Sequence, residues 1–182
     1  MKVKRSLIWG AGAIGGTLGA YLARAGGDVT LIDTAGEHVD AIARAGLRLT
    51  GPIDEFTVRV PAFTPQTLSG MWDEIILATK AHHTGAASRA LLRHLTAGGY
   101  VVSAQNGLNE LAIAEVVGAE RTVGAFINFG AAYMEPGVIH YGGHGAVVAG
   151  EIDGRITPRV TAIRDAWRHF DPRAIATPNI WG

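Results

Sequence analysis

Residues 10–16, with the sequence GAGAIGG, decide the fold of this 182-residue chain. They follow a short apolar run at residues 6–9 that is typical of a buried strand. They also open the segment 13–25, whose apolar side chains recur at helical spacing. A G-x-G-x-x-G pattern at the junction of a strand and a helix indicates a dinucleotide-binding turn. The sequence around this turn therefore predicts a Rossmann-type fold.

Each glycine of the motif has its own physical task. Gly10 permits the tight turn, Gly12 leaves space for a pyrophosphate beside the backbone, and Gly15 lets the helix approach the strand closely. Ala13 and Ile14 complete the predicted cofactor-binding set at this turn, because the unpaired amides of the first helical turn meet the pyrophosphate. The alternative interpretation is a tight strand-to-helix turn that binds no ligand.

Asp33 ends the second apolar run, residues 29–32, about 20 residues beyond the glycine motif. An acidic side chain at this place accepts hydrogen bonds from the ribose hydroxyls of NAD, and it repels the 2′-phosphate of NADP. No Arg or Lys follows within the next several residues. The sequence therefore predicts that NAD is the preferred cofactor and leaves NADP open. The alternative is a solvated loop aspartate.

Two further candidate residues follow predicted strands. Lys80 comes after the apolar run 75–78, and Asn106 comes after the predicted strand 100–104. Groups at the carboxyl ends of parallel strands line the ligand crevice of an open α/β sheet. Both residues are therefore candidates for cofactor binding and for catalysis. The alternatives are a surface lysine that opens a helix and a plain Asn-Gly turn.

Strands alternate with helices along most of the chain, which predicts a parallel sheet covered on both faces. Helices are expected at residues 13–25, 37–45, 85–96, 109–117 and 157–170. Between 130 and 150, glycines separate short alternating stretches, which indicates antiparallel strands at one sheet edge. The predicted architecture is one doubly wound α/β dinucleotide-binding domain over residues 1–182. Its Rossmann core reaches about residue 127, and a β-rich extension and a final helix follow.

Composition and charge argue against several other functions. The chain has 16 basic and 16 acidic residues and no basic run, so its charge favours neither a nucleic acid nor an anionic membrane as partner. It has no cysteine, which removes disulfides, thiolate nucleophiles and cysteine-based zinc sites. Its seven histidines show no metal-ligand spacing, so we expect no metal site. The N-terminal apolar run is too short for a signal peptide or a membrane span, which predicts a cytoplasmic protein.

Four features in this order resemble the N-terminal domain of the ketopantoate reductase (2-dehydropantoate 2-reductase) family. They are the glycine motif, Thr-Lys-Ala at 79–81, Gln-Asn-Gly at 105–107, and EPGVIH at 135–140 leading into further glycines. The resemblance covers essentially the whole chain. It implies hydride transfer from NAD(P)H to a branched 2-oxo acid, with ketopantoate to pantoate, a step of pantothenate and coenzyme A biosynthesis, as the leading case. It also implies that Lys80 and Asn106 lie near the nicotinamide and the substrate.

Two departures from the family pattern matter. Many members use NADP and carry an arginine at the end of the second strand, where this chain has Asp33. The family also continues into an all-helical domain that supplies a general-acid lysine, a glutamate and a serine that grip the substrate, and a dimer contact. This sequence stops at Gly182, at the entry to that segment. We therefore expect the chain to bind the cofactor without the full catalytic set, and a homodimer would form through the helical domain.

Two other functions stay open from the sequence. One is a stand-alone NAD-binding or regulatory subunit without catalysis. The other is a related dehydrogenase that acts on a different 2-oxo or 3-hydroxy acid. Nothing in the residues fixes the substrate side chain or the oligomeric state.

Overall fold

The computed structural model describes residues 5–182, which form one ten-stranded sheet with five α-helices. The strands are β1 (Arg5–Trp9), β2 (Asp28–Ile32), β3 (Leu47–Thr50), β4 (Phe56–Val58), β5 (Ala62–Phe63), β6 (Trp72–Leu77), β7 (Leu95–Ser103), β8 (Thr122–Glu135), β9 (Val138–Glu151) and β10 (Ile175–Ala176). The helices are α1 (Ala13–Arg24), α2 (Gly36–Ala45), α3 (Thr84–Leu91), α4 (Asn109–Val117) and α5 (Pro158–Trp167). Short 3₁₀ turns span Ala81–His83, Leu92–His94 and Ala119–Arg121.

The strand order is β4-β3-β9-β8-β7-β6-β1-β2-β5, with β10 beside β9. Strand β1 pairs in parallel with β2 and β6, and β7 pairs in parallel with β6 and β8. The side chains of neighbouring residues in β1 point to opposite faces of the sheet. Ile8 joins the core under α1, α2 and α5, whereas Leu7 joins the core under α3 and α4. The predicted doubly wound α/β fold is confirmed.

Strands β8 and β9 form one long antiparallel hairpin of two 14-residue strands. The predicted antiparallel pairing is confirmed, but the prediction of separate short stretches is wrong. Gly137 lies in the turn between the two strands, whereas Gly142, Gly143 and Gly145 lie inside β9. A Cβ at Gly145 would stand 1.3 Å from the carbonyl oxygen of Asn128. Gly145 thus allows the close approach of the two strands and does not end a strand. The hairpin is also not at the edge of the sheet. Strand β9 pairs with β3, and β3 pairs in turn with β4 on its other side. The predicted core and extension therefore share one sheet.

The helix expected at residues 85–96 is shorter in the structure. It ends at Leu91, a 3₁₀ turn follows, and β7 already begins at Leu95. The leucine spacing here fits a helix, but Leu95 pairs with Trp72 of β6, and a register shift follows before Glu74. Pairing with the sheet, which the local pattern does not reveal, thus overrides helical spacing.

Candidate functional site

A cleft of about 460 Å³ opens at the carboxyl ends of β1, β2, β6 and β7. Most of the residues predicted to bind the cofactor line it together, although they come from four separate loops. They are Gly10, Gly12, Ala13, Ile14, Asp33, Lys80 and Asn106. The remaining member of the predicted set, Gly15, is buried beneath the cleft, in α1. This arrangement places the candidate site at the edge of the sheet where open α/β folds bind their ligands.

The three motif glycines are required for different reasons. Gly10 has φ of 103°, and a Cβ there would lie 2.9 Å from the backbone of Ala78. A Cβ at Gly15 would lie 2.0 Å from the carbonyl oxygen of Gly10. Gly12 differs, because its φ of −71° suits any residue and a Cβ would meet nothing within 4 Å. Packing therefore explains why glycine stands at positions 10 and 15. The open space at Gly12 would let a bound ligand approach the protein backbone closely.

Asp33 holds the glycine loop in place. Its Oδ2 accepts a hydrogen bond of 3.0 Å from the amide of Ala11, and its Oδ1 accepts one of 3.0 Å from the amide of Ala35. The amides of Gly10 and Ala11 also both donate to the carbonyl oxygen of Ile32 at 2.9 Å. The carboxylate keeps further acceptor sites for a ribose hydroxyl, since each oxygen can accept more than one hydrogen bond. The sequence predicted that Asp33 binds a ligand, but it did not predict the hydrogen bonds from the amides of Ala11 and Ala35.

The end of the cleft at Asp33 lies in a negative environment. Burial raises the pKa of the Tyr133 hydroxyl, and the carboxylates of Glu37, Asp33 and Glu135 raise it further. These three acids have no ion-pair partner among residues 5–182. An anionic group bound here would meet net repulsion, which falls with salt because the groups are largely exposed.

Gln105 ties together the two loops that carry Lys80 and Asn106. Its Nε2 donates to the carbonyl oxygen of Thr79 at 2.7 Å and to Oγ1 of Thr84 at 2.9 Å. The side chains of Lys80 and Asn106 make no hydrogen bond with another residue in the range 5–182, and both residues are exposed at the cleft. The loops are thus fixed while the two candidate side chains stay available to a ligand. The sequence marked Gln105 only as part of a turn, because its partners are distant in the chain.

His83 is a second cleft residue that sequence reasoning did not assign. It lines the cleft from the 3₁₀ turn after Lys80, with its ring 4.0 Å from that of His82. Among residues 5–182, no group of three His, Asp or Glu side chains is arranged to hold a metal ion. No helix in that range is long and apolar enough to cross a membrane.

Comparison with known proteins identifies the family. Residues 6–154 match the family model described as ketopantoate reductase PanE/ApbA. This chain belongs to that family. The resemblance drawn from the four sequence motifs is therefore confirmed.

Relatives of the ketopantoate reductase family match nearly the whole chain. The 2-dehydropantoate 2-reductase of Pyrococcus abyssi is 41% identical over 179 residues, which cover 95% of this chain and 56% of that protein. The crystal structure of 2-dehydropantoate 2-reductase from Geobacter metallireducens GS-15 has a TM-score of 0.86 at 31% identity, covering 96% of this chain and 58% of the other. The ternary structure of D-mandelate dehydrogenase with NADH and anilino(oxo)acetate has a TM-score of 0.85 at 25% identity, covering 96% and 57%. The chain therefore spans little more than half the length of these relatives.

Proposed function

We propose that this chain is the NAD(P)H-binding part of a reductase that transfers a hydride to the ketone of a branched 2-oxo acid. Ketopantoate, reduced to pantoate, is the leading substrate. The observation that carries the proposal is the single cleft in which the glycine loop, Asp33, Lys80 and Asn106 meet. Family membership supports the reaction class, and the names of the curated relatives support the substrate. A cytoplasmic location stays a prediction.

The residues of the cleft fit a dinucleotide. The open space at Gly12 admits a pyrophosphate, and the unpaired amides at the start of α1 stabilise its charge. Asp33 accepts a hydrogen bond from a ribose hydroxyl while it holds the loop. When bound, NAD(P)H supplies the hydride.

Lys80 and Asn106 act on the substrate side of the same cleft. Both carry hydrogen-bond donors, and the carbonyl oxygen of a 2-oxo acid gains negative charge as the hydride arrives. Donors aimed at that oxygen stabilise the transition state. The cation of Lys80 also suits the substrate carboxylate. We assign these two residues to substrate binding and charge stabilisation, and protonation of the alkoxide to a group outside this chain.

NADH is the cofactor that the local charges favour. The carboxylates of Asp33, Glu37 and Glu135 all lie close enough to act on Tyr133, at the Asp33 end of the cleft where we place the adenosine ribose, and they would repel a 2′-phosphate. The structurally similar D-mandelate dehydrogenase is described with NADH. NADPH is the alternative, and its binding would require a cation that reaches the ribose in spite of these acids.

A second candidate substrate is a 2-oxo acid with an aromatic side chain. It is favoured by the likeness to D-mandelate dehydrogenase, whose ternary structure contains anilino(oxo)acetate. Ketopantoate and benzoylformate would be assayed in parallel, with a protein that contains both this chain and the helical domain of the family. The kcat/KM values for the two compounds would show which is the better substrate.

Cofactor binding itself is tested by a matched pair of glycine variants. Gly12 and Gly98 both leave open space for a Cβ, but only Gly12 lines the cleft. Calorimetric titration with NADH should show wild-type affinity for Gly98→Val and no measurable binding for Gly12→Val, with little change in either unfolding midpoint. Unchanged NADH affinity in Gly12→Val would end the proposal.

A further inference from the structure

His38 makes two hydrogen bonds that join distant parts of the molecule. It lies on α2 with 0% of its surface exposed. Its Nε2 is 2.9 Å from the carbonyl oxygen of Ala11 in the glycine loop. Its Nδ1 is 2.9 Å from the amide nitrogen of Gly137, in the turn of the β8–β9 hairpin.

These two contacts fix the protonation of the ring. A backbone amide can only donate, so Nδ1 of His38 must accept from Gly137. A carbonyl oxygen can only accept, so the proton sits on Nε2 and is donated to Ala11. The neutral Nε2–H tautomer therefore satisfies both ring nitrogens and two backbone groups at once.

The bond to Ala11 also sets the direction of the next amide. In a trans peptide, the N–H of Gly12 points opposite to the C=O of Ala11. That carbonyl points to the buried His38, so the Gly12 N–H points the other way, at the position where Gly12 lines the cleft. Within residues 5–182, the Gly12 N–H has no hydrogen-bond acceptor.

We propose that His38 is a positioning residue that aims the Gly12 amide at the pyrophosphate of the dinucleotide. The identity of the ligand rests on the proposed function, whereas the orientation of the amide rests only on the geometry. Among residues 5–182, the hydrogen bond to the Ala11 carbonyl oxygen comes from His38 and not from a residue of the G-x-G-x-x-G motif. The motif permits the approach of the ligand, and a side chain from the following helix directs the donor.

The hairpin turn gives His38 a rigid anchor. Gly137 has φ of 80°, and its carbonyl oxygen accepts a hydrogen bond of 2.8 Å from the amide of Arg48 in β3. The turn is therefore held from both sides, by β3 and by His38. The segment 135–140, which the sequence marked only as part of a family pattern, thus supports the cofactor loop. A tilt of this turn would be transmitted to the Gly12 amide through one buried ring.

Two conservative variants separate the two bonds of His38. The amide of a glutamine places a donor near the position of Nε2, so His38→Gln keeps the bond to Ala11. The shorter asparagine places its acceptor near the position of Nδ1, so His38→Asn keeps only the bond to Gly137. His94 serves as a matched control, because it is also buried and its Nδ1 lies 3.0 Å from the carbonyl oxygen of Gly70, away from the glycine loop.

The readouts are the calorimetric Kd for NADH, the amide resonance of Gly12 in a ¹⁵N-labelled chain, and the unfolding midpoint. We expect His38→Asn to raise the Kd about tenfold or more, since a hydrogen bond to a charged group is at stake. It should also shift the Gly12 resonance. The Kd of His38→Gln for NADH should stay within about threefold of the wild-type value, because this variant loses only a hydrogen bond between neutral groups. His94→Asn should lower only the unfolding midpoint.

Three results would overturn the inference. One is equal loss of affinity in both His38 variants, another is a Kd in His38→Asn that matches His94→Asn, and the third is an unmoved Gly12 resonance. If the wild-type chain failed to bind NADH, the proposed function would fall instead. The Gly12 resonance would then still decide whether His38 sets the peptide plane.

Discussion

Asp33 combines a structural role with its proposed role in cofactor binding. Its carboxylate accepts hydrogen bonds from the amides of Ala11 and Ala35, so its replacement would disturb the glycine loop and would obscure any test of the proposed cofactor choice. The neighbouring Thr34 is exposed and lines the same cleft. A cation at position 34 would therefore change the charge that a 2′-phosphate meets without removing the bonds of Asp33.

We expect Thr34→Arg to move cofactor preference toward NADPH. The wild-type chain should bind NADH more tightly, and the variant should narrow that ratio about three- to tenfold, as a partly exposed charge-assisted contact allows. Paired titrations with NADH and NADPH measure the ratio. Thr57→Arg is the control, since Thr57 is exposed on β4 and does not line the cleft. A wild-type preference for NADPH would show that the acidic surroundings do not decide the cofactor.

The β8–β9 hairpin depends on glycine at one position and not at a near neighbour. A Cβ at Gly145 would stand 1.3 Å from the carbonyl oxygen of Asn128, whereas a Cβ at Gly143 would meet nothing within 4 Å. Gly145→Ala should force the strands apart and lower the free energy of unfolding by about 1–3 kcal/mol or more. Gly143→Ala should leave it nearly unchanged. Chemical denaturation of both variants checks this, and equal stabilities would contradict the close approach of the strands.

Helix α4 begins with a buried acid that destabilises the chain at neutral pH. Burial raises the pKa of the Glu110 carboxyl, and hydrogen bonds from the backbone amides of Glu110 and Ala125 offset this only in part. A raised folded pKa means that the folded state holds its proton longer than the unfolded state. The acid therefore costs stability as the pH rises above its ordinary pKa of 4.5, and the cost is absent below that pH.

Glu110→Gln mimics the protonated form and should raise the unfolding midpoint at pH 7. The gain should shrink as the pH falls toward 4, where the wild-type carboxyl is protonated in both states. Glu115→Gln, on the exposed side of the same helix, should change the midpoint little at either pH. A gain that stays constant between pH 4 and pH 7 would mean that ionisation of Glu110 is not its cause.

The sequence predicts the parts of this fold that depend on local pattern. The glycine motif, α1 and the positions of Lys80 and Asn106 follow from neighbouring residues, because strand ends and helix starts are encoded locally. His38 and Gln105 were not predictable, since the first pairs with Gly137, 99 residues away, and the second with Thr79. Contacts between distant residues also explain why the length of the hairpin strands was not predicted. Glycines inside a strand look like strand breaks until the opposite strand is known.

At the scale of the whole molecule, the candidate site is a cleft that is open to solvent in residues 5–182. Lys80 and Asn106 are exposed at the cleft, and the chain spans 56% of the Pyrococcus abyssi relative. In residues 1–182 taken alone, water would therefore reach the proposed substrate position, and the proposed substrate would be poorly oriented. Of the described residues, Lys80 is the only lysine. It is already assigned to charge stabilisation.

We therefore expect residues 1–182 alone to bind NADH and to reduce ketopantoate negligibly. General acid assistance typically contributes about 10²–10⁴-fold, and poor orientation of the substrate adds to that loss. A fusion of this chain to the remaining C-terminal part of the Pyrococcus abyssi 2-dehydropantoate 2-reductase should restore NADH oxidation by ketopantoate, if that part is the helical domain with the general acid that the family resemblance implies. Absorbance at the NADH band follows both proteins, and Asn106→Ala in the fusion is the control that ties turnover to this cleft. Robust turnover by the 182-residue chain would contradict the prediction and would assign the acid to Lys80 or to a histidine such as His83 or His140.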